Sequence, residues 1–136
     1  MKKENPMNSN GVGIRAWGTT LLAWLVPGLG HVSQGLFVQG LLLGAVVWAL
    51  FITGVVLGGH MHIIAGTDAG ILSRIFWFCN LGNGLLFLVS GYAGIALHER
   101  PMLQFSEYGN VFLVAAGLLN YFLMLDAFDT AAGRKF

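Results

Sequence analysis

The chain has 136 residues, of which 56% are hydrophobic and only 10% charged, too few charges to coat a soluble domain, for which about 25% is usual. A formal net charge of +1 provides no field for nucleic acid or an acidic substrate, since either calls for clustered Lys and Arg. Its single cysteine, Cys79, cannot form an intramolecular disulfide and reads as a small buried apolar residue. This is the composition of a small membrane protein whose apolar surface faces lipid or another helix.

Residues 1–15 form a polar tail, 16–128 a single transmembrane helical domain, and 129–136 a short basic tail. Lys2, Lys3 and Arg15 ahead of an apolar run resemble a secretory signal. No Ala-x-Ala cleavage site follows, so a retained anchor is expected.

Residues 16–67 then run for 52 positions without Asp, Glu, Lys or Arg. As one helix they would reach ~78 Å, against a hydrocarbon core of ~30 Å, so the segment must turn back on itself. The interruption Pro-Gly-Leu-Gly-His at 27–31 is where it would turn. Pro27 stops a helix, Gly28 and Gly30 permit a reversal with positive φ, and His31 can cap carbonyls freed at the helix end. The first segment, 16–30, covers only ~22 Å, short for a span and compatible with a re-entrant hairpin.

The second segment, 36–59, is long enough to cross. At 100° per residue Gly40, Gly44, Val47, Phe51, Gly54 and Gly58 fall on one narrow stripe. Such a stripe lets two backbones approach closely, either in an intramolecular contact or as a dimer or partner seam. In the connection that follows, His60 and His62 have the spacing of a metal-ligand pair. Two ligands do not complete a zinc site, and Asp68 or His98 would have to join them, so interfacial histidines without metal are expected.

The third span is expected over 75–97 and the fourth over 111–127. Asn80 and Asn83 share a side with Gly84, Phe87, Gly91 and Gly94, and Asn120 lies inside the fourth span. Amides in hydrocarbon need partners, which makes these three either interhelical braces or the lining of a polar path. Asp126 and Asp129, followed by Arg134 and Lys135, read as an interfacial cluster that ends the helix, with paired carboxylates in a proton path as the alternative.

If all four segments cross, six Lys and Arg share one side and Arg100 stands alone on the other; if the first only dips in, the split is four against three. The positive-inside rule therefore favours four spans with both termini cytoplasmic. No GxSxG, HExxH, phosphate-cradling glycine loop or Cys-x-x-Cys is present.

The run 27–40 resembles the hairpin motif P-G-x-G-H/Q-x-Y-x-G-x-x-x-x-G of small bacterial membrane proteins related to the two-transmembrane-helix domain family. Pro27, Gly28, Gly30, His31, Gly35 and Gly40 match it, while Ser33 stands where an aromatic residue is usual. The closing segment is similar to the end of an uncharacterised family of short bacterial membrane proteins, with matches at Gly117, Asn120, Asp126, Asp129, Gly133, Arg134 and Lys135. The resemblance implies a bacterial inner-membrane location and supplies no activity.

The expectation is thus an all-α membrane protein of about four transmembrane helices, the first two a hairpin about PGLGH. It is expected to be no enzyme, to hold no cofactor, and to serve as an accessory or scaffold subunit packing in the bilayer with itself or a larger membrane complex. The alternative is a small channel or transporter with a polar path at Asn80, Asn83 and Asn120.

Overall fold

The structure is a computed structural model that describes residues 9–61, 70–95 and 104–134, all of them helical or in turns and connections. Six helices follow in order: α1 (Ser9–Leu25), α2 (Leu29–Val32), α3 (Phe37–Val56), α4 (Ile71–Leu81), α5 (Leu85–Ala93) and α6 (Ser106–Ala131). The first helix is already formed at Ser9, ahead of the expected start of the first segment at Ala16, and Gly11 and Gly13 lie within it.

Among the described residues two helices, α3 and α6, are long and apolar enough to cross a membrane, and α4 with α5 would make a third if counted as one span. The expected four are not reached. The expected third span, 75–97, is broken at Gly82-Asn83-Gly84, where the axis bends by 107°. Gly84 has φ +58° and ψ −120°, a conformation open to glycine and strained for other residues. Hydropathy summed over the run could not register the break, since its residues remain uncharged.

The long axis of the molecule is set by α3 and α6, which run antiparallel: Gly54 lies against Gly109 and Leu113, and Gly59 against Gly109. Where they cross, the glycines allow near backbone contact, since a methyl at Gly54 would lie 2.9 Å from the Gly109 carbonyl oxygen. Val47, Phe51, Leu113, Ala116 and Leu123, joined by Leu86 and Phe87 of α5, make up the core.

Against this pair the other elements form two hairpins that enter from opposite ends. Trp17 of α1 meets Phe128 of α6 edge-on, with ring centroids 5.6 Å apart, and Trp24 has reached the level of Asn120. The chain then reverses at Pro27-Gly28 and returns to the same end of α6, where His31 meets Asp126 and Gln34 meets Ala127. At ~1.5 Å per residue, Asn120 is ~12 Å from Phe128 and ~16 Å from Gly109 along α6, so the first hairpin ends part-way through the bundle. From the other end α4 runs inward past Gly117 to Gly82, and after the bend Asn83 reaches back to Leu113.

Both halves follow one plan, helix, glycine turn, helix, long helix. The turns read Leu25-Val26-Pro27-Gly28-Leu29 and Leu81-Gly82-Asn83-Gly84-Leu85, each with a positive-φ glycine before the returning helix. Each turn also rests on a glycine of its own following long helix, Gly44 for the first and Gly117 for the second.

Candidate functional site

Two polar clusters are built where these elements converge. The first is at the end of the bundle that carries the start of α3 and the end of α6. His31, completely buried, places Nε2 2.8 Å from Oδ2 of Asp126, which is 29% exposed. An ionised Asp126 accepts from Nε2–H in this contact, the imidazole tautomer deciding which ring nitrogen donates. His31 Nδ1 is also buried and has no partner among the described residues. Gln34 braces the same place, its Nε2 donating to the carbonyls of Ala127 (2.9 Å) and Gly30 (3.1 Å).

This corrects the reading of His31 as a cap for its own hairpin. The turn is closed by its backbone instead, with the Leu29 amide donating to Val26 O across Pro27-Gly28. That leaves the ring free to reach across 95 positions to α6. The correction extends to Gly30, which lies within α2 and does not adopt positive φ; the left-handed glycines are Gly28 (φ 89°) and Gly35 (φ 85°). Gly30 is small for a different reason, since a methyl there would lie 2.6 Å from Ala23 Cβ and 2.9 Å from Ala127 Cβ.

Of the two carboxylates read as one cluster, Asp126 turns inward to His31. Asp129 faces Arg134 at 3.8 Å, a pair exposed on both sides, and Lys135 lies outside the described residues.

The second cluster is the meeting of the two hairpin tips. Asn120 Nδ2 donates to the carbonyl oxygens of Trp24 (3.1 Å) and Gly82 (2.7 Å), one from each tip. Trp24 Nε1 donates to Leu81 O at 3.1 Å, and Asn83 Nδ2 to Leu113 O at 3.2 Å. Carbonyls released where α1 and α4 end are thereby taken up by side chains. Gly84 presses on the other tip, where a methyl would run into the Trp24 carbonyl.

The stripe on α3 is divided among three uses. Gly40 and Gly44 face Gly28 and Pro27 of the chain's own hairpin, and Gly54 faces α6. Gly58 lies beyond the end of α3 with φ 85°. Past the break, the shared side expected of a continuous third span ends: Phe87 is buried, but Gly91 is half-buried and Gly94 exposed. His60 donates its backbone N–H to Asn110 Oδ1 at 2.7 Å, and His62, Asp68 and His98 lie outside the described residues. Among the described residues no three His, Cys, Asp or Glu side chains are grouped to hold a metal.

Sequence reasoning missed Trp24, Gln34 and Asn110. Gln34 stands inside the hairpin run and could have been suspected as a polar residue among apolar ones. Trp24 and Asn110 carry no local signal, because their partners are 57 and 50 positions away.

The fold defines a helical protein with two membrane-length helices and two inward-facing hairpins, cross-braced by amides. Residues 18–136 match the Family of unknown function (DUF6677), and the chain belongs to that family. Comparison with curated proteins and with solved structures returned no match.

Proposed function

We propose that this protein is a non-catalytic subunit of the bacterial inner membrane, an accessory or scaffold element that packs with itself or within a larger membrane complex. The observation that supports this reading is that two of the three interior amides, Asn83 and Asn120, act as braces. Asn83 and Asn120 donate to carbonyls of other segments, and beside Asn80 the space amounts to about 30 Å³. A polar path for a solute would need these groups to face a continuous cavity. In hydrocarbon the same groups serve cohesion, each brace contributing up to ~2 kcal/mol.

The bacterial inner-membrane assignment draws on the resemblance of the hairpin and C-terminal motifs. The surface agrees with a lipid-embedded chain, with Phe37, Val38, Leu41 and Val56 of α3 all 65–73% exposed. Because Gly40, Gly44 and Gly54 are engaged within the chain, a partner would meet this outer face of α3 and not the glycine stripe.

The test is purification from native membranes in mild detergent, with mass spectrometry of what accompanies the tagged protein. A reproducible stoichiometric membrane partner, or a self-dimer, supports the proposal. A monomer that on reconstitution passes a small solute, with the flux abolished by Asn120→Leu in a folded protein, would replace it with the channel reading.

A further inference from the structure

A third polar place lies away from the His31–Asp126 pair, beside the second hairpin tip and towards the end of the bundle where α3 finishes and α6 begins. Asn80 of α4 is 2% exposed, and its Oδ1 has no hydrogen-bond partner. It borders a small cavity of about 30 Å³ whose other walls are His60, Phe76, Asn110 and Val114. Across that cavity, Asn110 Oδ1 accepts one hydrogen bond from the His60 amide, which leaves a lone pair for a second.

Three properties of this cavity identify what would fit it. A space holding one water needs roughly 10–15 Å³ open to probe centres, so about 30 Å³ suffices for one and leaves little more. Asn80 Oδ1 and Asn110 Oδ1 are both acceptors, so an occupant that bridges them must donate hydrogen bonds. No carboxylate is among the five lining residues, and two amide oxygens cannot replace the hydration shell of a cation. A neutral donor of minimal size meets all three conditions.

We propose that this cavity is a binding site for a single water molecule, which donates to Asn80 Oδ1 and Asn110 Oδ1 and so joins α4 to α6. Through the His60 amide, the same joint ties down the backbone where the chain has left α3. The buried oxygen of Asn80 is thereby satisfied, as buried polar atoms generally are.

The experiment is water-to-amide NOE spectroscopy on the ¹⁵N-labelled full chain in deuterated detergent. Side-chain amide protons of Asn80 should show a cross-peak to water with the sign of a molecule that tumbles with the protein. The Asn120 amide, bonded to two carbonyls, should show none. In Asn80→Leu, which removes the Oδ1 acceptor, the corresponding peak at Asn110 should fall to the noise. Absence of the Asn80 peak in the unaltered protein overturns the proposal, whether or not the variant folds. Persistence of the Asn110 peak at full intensity in folded Asn80→Leu overturns it as well.

Discussion

His31 and Asp126 belong to two motifs that stand 95 positions apart, and each motif makes local sense without the other. The Pro-Gly-Leu-Gly-His run reads as a turn, and the acidic residue near the chain's end reads as a helix terminus. Their joining was not legible, because nothing in either run states which distant residue will be near. The energetic consequence can be tested. Asp126→Leu removes the acceptor from a fully buried ring nitrogen and should destabilise by ~1 to 3 kcal/mol in detergent thermal unfolding. Asp126→Asn keeps a carbonyl that can accept from Nε2–H, so it should cost less. Equal losses would show that the charge, and not the hydrogen bond, is what matters. Nearby glycines separate steric from conformational demands. Gly30→Val pushes branched carbons into Ala23 and Ala127 and should cost upward of ~3 kcal/mol, the higher end of overpacking. Gly35→Asn meets open space and needs only a left-handed residue, which Asn tolerates, so its cost should stay below ~1 kcal/mol.

At the scale of elements, what could be read from the sequence was helix, length and hairpin; what could not was the break in the third apolar run. Gly82-Asn83-Gly84 is a turn signal of the usual kind, but it stands in the middle of a run whose length matches a membrane span. Length and hydropathy outweighed the local signal there, whereas at Pro27 the proline made the turn unmistakable. The glycine stripe on α3 shows a similar limit: periodicity locates a close-packed face and leaves its partner unspecified. The structure assigns Gly44 to Pro27, and a methyl there would lie 2.6 Å from the Pro27 carbonyl oxygen. Gly44→Ile should therefore lower the unfolding temperature of the isolated chain, with Ala45→Ile, on an exposed position, much milder. A loss confined to association, with the monomer's stability unchanged, would return the stripe to the role of an intermolecular seam. Asn120→Leu should release both tips at once, costing ~1 to 3 kcal/mol through the stranded Trp24 and Gly82 carbonyls.

For the whole molecule the arrangement of hairpins decides which connections share a side of the membrane. With four spans, the α3–α4 connection and the α5–α6 connection would emerge on opposite faces. With two crossing helices and two hairpins that enter and return, both connections emerge together, opposite both termini. Charge is consistent with the second arrangement: Lys2, Lys3, Arg15, Arg134 and Lys135 then share the side of the termini, against Arg74 and Arg100 on the other, five to two. Under the proposed inner-membrane location, the positive-inside rule would put both termini on the cytoplasmic side in either arrangement, so the termini alone do not discriminate. The two connections do. In a Cys79→Ala background, single cysteines at Asp68, Gln104 and Ala132 can be challenged in intact cells with an impermeant thiol reagent. Cysteines at both Asp68 and Gln104 should be labelled from outside, and one at Ala132 only after the membrane is opened. Labelling at Gln104 without labelling at Asp68 in intact cells, followed by labelling at Asp68 once cells are permeabilised, would restore a four-span protein. The 107° bend at Gly82–Gly84 would then be a kink within a crossing helix and not the tip of a hairpin that turns back.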